Sequence, residues 1–231
     1  MELTIVMPCY NEEDTIYECV CTALDAIKKN KIKGEVLVVD NNCTDNSVKL
    51  AKKAGARVVH EHVKGYGAAI NCGNKNAKGK YIIMADCDCS YDFGYAKEFL
   101  DYLENGYDMV IGNRFTGNMD KNAMSFSHKY IGNPVLSFIG RKLFKITVGD
   151  FHCGLRGYSK DKILSLNLKT SGMEYASEMV IRATEDNFKI KEIPIDYKKD
   201  HRVNTDSKLR TFKDGYRHLK LMLQMYRNRK K

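Results

Sequence analysis

Over its first 112 residues the chain alternates short β-branched apolar runs with longer stretches of helical periodicity, and no other feature narrows its possible folds as much. Strands are expected at 3–7, 35–39, 57–60, 81–85 and 109–111, with helices near 13–29, 45–54, 67–77 and 94–104. Runs this uniformly apolar suit strands buried on both faces. The βαβα order then calls for an α/β fold with a mostly parallel central sheet flanked by helices. Further on, a loop is expected over 113–123, a helix over 124–145, a strand after 150, a helix near 173–187 and a strand at 190–195. At 231 residues, 43% apolar and with three prolines, the chain can fill one large core, which excludes a disordered or disulfide-stapled protein.

Ligands of such sheets bind outside the carboxyl ends of the strands, and three of the expected strands end in polar clusters: P-C-Y-N-E at 8–12, D-N-N-C-T-D at 40–45 and D-C-D at 86–88. Asp86 and Asp88 at a strand end can aim two carboxylates at one pocket, where a hard cation bridging two phosphates would sit. Asp92 is a third acid nearby that could add a ligand, but an ordinary solvated helix-start acid accounts for it better. Asp45 or Thr44 reads as an N-cap, which leaves Asp40 for the base or ribose of a nucleotide. Gly65-Tyr66-Gly67 before a helix suits close approach of backbone to a ligand, but it lacks a full dinucleotide fingerprint.

Charge is unevenly placed. Residues 198–231 hold 12 basic and 3 acidic residues, the whole of the +9 net charge, while 1–197 balance at 26 of each. The body is therefore no basic nucleic-acid binder, and an anionic partner would meet the tail. There Leu209, Phe212, Tyr216, Leu219, Met222, Leu223 and Tyr226 recur at three- and four-residue steps among Lys208, Arg210, Lys213, Arg217 and Lys220. Such a basic amphipathic helix suits an anionic membrane surface, the catalytic body, or a second subunit in a homodimer. No run reaches the roughly 18 apolar residues of a spanning helix, and Met1 leads straight into a strand, so neither a membrane span nor an export signal is expected. The eight cysteines include two C-x-C pairs, Cys19/Cys21 and Cys87/Cys89, without zinc-knuckle spacing or a His cluster, so free thiols in a reducing compartment are expected.

Taken in order, P-x-Y-N-E at 8–12, D-x-x-x-x-D at 40–45, G-x-G-x-A at 65–69, D-x-D at 86–88 and G-x-R at 112–114 resemble the inverting family-2 glycosyltransferases of GT-A fold. So do D-x-x-x-G-x-R at 150–156, E-M-V-I-R-A at 178–183, E-I-P-I at 192–195 and R-x-x-x-x-S-K-L at 202–209. Within that family the chain is most similar to the dolichyl-phosphate mannose synthase and polyprenyl-phosphate glycosyltransferase branch. The resemblance covers residues 3–209. It implies a catalytic GT-A domain over 1–197, followed by a diphosphate-clamp loop and basic helix over 198–231.

By that resemblance, Pro8, Tyr10, Glu12 and Asp40 hold the nucleoside, and Asp86 and Asp88 carry Mg²⁺ or Mn²⁺ on the donor diphosphate. Arg202 and Lys208 clamp the same diphosphate. Asp150 and Glu178 match family acids proposed as base or acceptor-site residues. Arg114 and Arg156 are candidates for the acceptor phosphate, with a structural ion pair as the competing view. The implied reaction moves a hexose from a UDP- or GDP-linked donor to a polyprenyl phosphate, with the enzyme peripheral to the cytoplasmic face of a membrane. Asn41, Cys43, Cys87 and Thr205 depart from residues common in the family, and none removes a required group. A glycan or protein hydroxyl acceptor is the near alternative. A sugar-1-phosphate nucleotidyltransferase or a non-catalytic membrane adaptor is the distant one, the former disfavoured because Pro8 to Glu12 replaces a Gly-rich phosphate loop.

Overall fold

A computed structural model of the chain describes residues 1–203 and 211–229. Seven strands form one sheet: β1 (Leu3–Cys9), β2 (Gly34–Asp40), β3 (Arg57–His60), β4 (Tyr81–Met84), β5 (Met109–Asn113), β6 (Arg156–Ser159) and β7 (Ile190–Pro194). Their spatial order is β3-β2-β1-β4-β6-β5-β7. All neighbours run parallel except β6, which lies antiparallel to both β4 and β5. Strand order reverses direction between β1 and β4, the place where a crevice opens at the carboxyl ends of a doubly wound sheet. Register brings Cys9 opposite Asp40 and Asp40 opposite His60, so the ends of β1, β2 and β3 stand side by side.

The helices are α1 (Ile16–Lys29), α2 (Ser47–Lys53), α3 (Tyr66–Asn76), α4 (Ala96–Glu104), α5 (Asn133–Phe144), α6 (Lys160–Ser165), α7 (Tyr175–Glu185) and α8 (Thr211–Arg229). In α1 the buried residues Ile16, Cys19, Val20, Ala23, Ala26 and Ile27 recur at helical spacing, which presses one face on the sheet. A π-helical turn at His128–Gly132 leads directly into α5, filling the helix expected over 124–145. Only α6 was not anticipated; six residues are too few to establish a period. The strand expected after 150 begins only at Arg156, because residues 150–155 are bent around a buried ion pair described below.

The Gly65 and Gly67 positions serve packing rather than ligand approach. Gly65 has φ +147°, and a Cβ there would lie 2.1 Å from the Ser171 carbonyl oxygen. At Gly67 it would lie 2.5 Å from that of Thr170.

The charge boundary at 197 is not a break in the fold. The chain after β7 runs back across the strand ends, with Lys198 N–H donating to the Ser90 carbonyl at 3.0 Å and His201 N–H to that of Asp88 at 3.1 Å. Helix α8 then packs on α5 and α7. Its inward residues are Asp214, His218, Met222 and Met225, whereas Tyr216 and Leu223 of the expected apolar stripe are exposed. One cause is polar: His218 Nδ1 meets Ser177 Oγ of α7 at 2.8 Å, which fixes the rotation of the helix. Among the described residues no helix is long and apolar enough to cross a membrane.

Candidate active site

Three of the polar clusters singled out in the sequence converge at the carboxyl ends of β1, β2 and β4. At β1, the Pro8 carbonyl accepts from Cys87 Sγ at 3.2 Å, tying the first cluster to the third. Tyr10 is partly exposed, with Lys64 Nζ 5.5 Å from its ring centroid. Glu12 is buried, and its main-chain N–H donates to Ser47 Oγ at 2.8 Å.

Arg202 closes over this end of the sheet. Its Nε and one terminal nitrogen donate to the two Glu12 oxygens at 2.7 and 2.9 Å, a bidentate pair. Its other terminal nitrogen lies 3.3 Å from Asp88 Oδ2 and 3.5 Å from Asp200 Oδ2. Burial disfavours the charged guanidinium, but the bond to Glu12 and the field of Asp88 raise its pKa and keep it cationic. One cation therefore answers three carboxylates.

Asp88 also accepts from the Ser90 N–H at 3.0 Å and from the Ser90 hydroxyl. Asp86 is pushed up to about 6 by burial first and then by the Asp88 charge, against the opposing pull of the Tyr66 hydroxyl, Arg202 and Arg114. Two carboxylates that resist ionising together are a donor set suited to a hard divalent cation, which would remove that penalty. Gly154 makes the room: a Cβ there would sit 2.5 Å from Asp86 Oδ2. Asp92 has the plain role weighed for it, accepting from Gly94 N–H at 2.7 Å.

Asp40 has local partners. Burial works against its charge, yet the Cys43 N–H at 2.8 Å and His60 Nδ1 at 2.8 Å hold its carboxyl below the usual range. Asp45 accepts from the Ser47 N–H and hydroxyl at the start of α2, but the cap position itself belongs to Asn46, so the expected N-cap is displaced by one residue. Asn41, standing where an acid is common, donates to the Glu61 and Val63 carbonyls and accepts from Gly65 N–H. A carboxylate could not make the two donations.

A second group lies deeper. Arg114 donates to both oxygens of Asp150 at 2.7 and 2.9 Å; Asp150 is fully buried and Arg114 is 6% exposed. Arg114 also stacks over Tyr197, 5.2 Å from its centroid. The ion-pair view of Arg114 is what the geometry displays, and Asp150 has no open oxygen with which to act as base in this arrangement. Glu192 holds the turn from below, accepting from the N–H groups of Gly149 and Asp150.

Arg156 and Glu178, expected at the acceptor site, both have partners within the fold. Every described donor contact of Arg156 goes inward, to the carbonyls of Cys153, Ala176 and Phe151 and to Met179 sulfur. Glu178 accepts from the N–H groups of Lys169 and Thr170 and from the Thr170 hydroxyl, fastening the loop before α7. Both residues are buried. Lys208 lies outside the described residues. Sequence reasoning passed over His60, Tyr66 and Asp200. His60 was readable from strand alignment, since it ends β3 beside Asp40, but the other two required the folded chain.

A family model described as glycosyl transferase family 2 matches residues 4–165. The chain is 36% identical over 222 residues to the low-salt glycan biosynthesis hexosyltransferase Agl6 of Haloferax volcanii, across 96% of this chain and 53% of that protein. It thus spans about half the length of that relative. It is 31% identical over 198 residues to the dolichyl-phosphate hexose transferase of the same organism, across 85% of this chain and 83% of the relative. Among solved structures, glucosyl-3-phosphoglycerate synthase from Mycobacterium tuberculosis with Mn²⁺, UDP and glucosyl-3-phosphoglycerate shares the fold. Its TM-score is 0.73 over 97% of this chain and 79% of that one, at 18% identity. The same enzyme with Mg²⁺ and UDP gives a TM-score of 0.74 at 17% identity, over 97% and 79% of the two chains.

Proposed function

This chain belongs to glycosyl transferase family 2, and from that premise we propose that it transfers a hexose, with inversion, from a UDP- or GDP-linked donor to a polyprenyl-type phosphate. The observation that carries this reading is Arg202, a basic arm from beyond the last strand, folded onto Glu12 and Asp88 at the strand ends. A guanidinium held by carboxylates in this way is placed to exchange them for an incoming diphosphate. The relative named dolichyl-phosphate hexose transferase supports the acceptor class.

In this reading Pro8, Tyr10, Glu12 and Asp40 border the nucleoside, and Asp86 and Asp88 would hold Mg²⁺ or Mn²⁺. Such a cation neutralises charge on the departing nucleotide diphosphate. Arg202, with Lys208 as its proposed companion, adds positive charge on the same leaving group, where stabilisation grows as the sugar bond breaks. A phosphate acceptor is already anionic and needs positioning more than a base. That requirement agrees with Asp150 being spent on Arg114. A hydroxyl acceptor would call for a free base.

The membrane surface is assigned to the outer face of the helical segment 126–144 together with α8. Phe126, Tyr130, Ile131, Val135 and Phe138 are exposed along it. Lys129 and Lys142 fold over the rings of Tyr130 and Phe138, and Lys213, Lys220 and Arg227 are exposed on α8. Aromatic and aliphatic side chains ringed by basic ones suit the interface of an anionic leaflet, each cation adding about 1 kcal/mol. We place the enzyme at the cytoplasmic face on the same reasoning.

The test is product analysis by mass spectrometry with a panel of UDP- and GDP-sugars, Mg²⁺ or Mn²⁺, and a short polyprenyl phosphate. A glycosylated lipid phosphate from one donor, lost in Asp88→Asn, is the expected result. Unchanged transfer by Asp88→Asn would refute the cation role. Nucleotide release that lipid phosphate never accelerates would move the acceptor to a hydroxyl.

A further inference from the structure

The two C-x-C pairs have no spacing that builds a metal site along the chain, yet the fold joins one cysteine from each. Cys19 lies on the buried face of α1, and Cys89 follows Asp88 by one residue. Their sulfurs are 3.3 Å apart, and the Cys89 N–H donates to Cys19 Sγ at 3.2 Å. Glu18, next to Cys19, and His201, next to Arg202, come to the same place. Ligand atoms of Glu18, Cys89 and His201 all lie within 4.8 Å of one another. His201 Nδ1 stands 3.4 Å from Glu18 Oε2, and its main chain is fastened to the Asp88 carbonyl.

This donor set differs in kind from the neighbouring Asp86 and Asp88. Thiolate and imidazole select borderline ions such as Zn²⁺, whereas two carboxylates suit Mg²⁺ or Mn²⁺. We propose that Cys89, His201 and Glu18 bind a zinc ion separate from the donor-diphosphate cation, with the Cys19 sulfur packed behind Cys89. Binding replaces the Cys89 thiol proton, which passes to solvent, and involves no oxidation.

Position gives the ion its use. Three parts of the chain meet there: α1, the turn carrying Asp88, and the segment carrying Arg202. Zinc would clip the arginine arm and the acidic turn to the same helix. The site can exist whether or not the chain transfers hexose, and its test has its own readout.

The full chain would be purified with a non-thiol reductant and without chelator, and its zinc quantified by elemental mass spectrometry. Cobalt substitution would report sulfur ligation through a thiolate-to-cobalt charge-transfer band. Stoichiometric zinc and that band are expected in the parent and in Asp88→Asn. Both are lost in Cys89→Ser and in the more conservative His201→Gln, with circular dichroism and melting confirming that the variants fold. The proposal is overturned by a parent that stays zinc-free in buffered micromolar zinc, or by equal zinc in the parent and both ligand variants. A Cys19–Cys89 disulfide in protein kept under reductant overturns it as well.

Discussion

Removing the charge of Asp150 separates a structural acid from a catalytic base. Asp150→Asn keeps the volume but leaves the Arg114 guanidinium buried opposite a neutral amide. Side-chain exposures are 7% for Arg114 and 0% for Asp150, so solvent cannot take over the lost partner. Breaking such a buried pair from one side costs about 3–5 kcal/mol. For a chain of this size each kcal/mol moves the melting temperature by roughly 2–4 °C, so a fall of about 6–20 °C is expected. Differential scanning calorimetry on the parent, Asp150→Asn, Arg114→Met and the double variant Arg114→Met/Asp150→Leu measures it. The double variant should recover most of the loss, because a neutral apolar pair has no charge to strand. A melting temperature for Asp150→Asn within about 1 °C of the parent, with transfer abolished, would sink the structural reading and restore Asp150 as a base.

Metal-free protein should lose stability as pH rises from about 4 to about 6. Asp86 moves from an ordinary value of 3.8 to about 6 in the folded state, so its contribution is full below the lower value and gone above the higher. Thermal melts across that range should flatten in Asp86→Asn or with saturating Mn²⁺, and an unchanged slope in both would contradict the assignment. Gly154→Ala should weaken donor binding by about tenfold or more, roughly 1.4 kcal/mol, since its Cβ would lie 2.5 Å from Asp86 Oδ2; titration calorimetry with nucleotide and Mn²⁺ reads this. Glu178→Ala strips the Lys169 and Thr170 amides of their acceptor and should cost about 1.5–3 kcal/mol in urea unfolding. Phe126→Ser and Phe138→Ser should each cut affinity for anionic vesicles by about tenfold or more. Their melting temperature should stay unchanged, because both rings are exposed in the isolated chain.

The alternation that opens the chain was enough to establish the architecture. Apolar runs of strand length report burial on two faces, and helical spacing such as Ile16, Cys19, Val20 and Ala23 reports a covered side, both within a few residues. The acidic clusters were equally readable, because a polar group directly after a buried strand has to lie at the sheet's end, where Glu12, Asp40, Asp86 and Asp88 are found. Arg202 was placed by its motif, although its hold on Glu12 was not.

Everything that depended on a distant partner waited for the tertiary structure. No local pattern says that β6 enters antiparallel between β4 and β5, since a four-residue strand reads alike in either direction. An arginine or an acid has the same signature whether it meets a substrate or another side chain. Arg114, Asp150, Arg156 and Glu178 all proved to have partners inside the fold. The face of α8 turned on the His218 contact with Ser177, which no helical period contains. Likewise Cys19, Cys89 and His201 meet only because helix α1, the turn after β4 and the segment after β7 converge at the carboxyl ends of the strands. Sequence determines period and chemistry within a few residues, which set the elements and their polar ends; the pairing of charges and thiols is decided by closure over separations from 36 residues for Arg114 and Asp150 to 190 for Arg202 and Glu12.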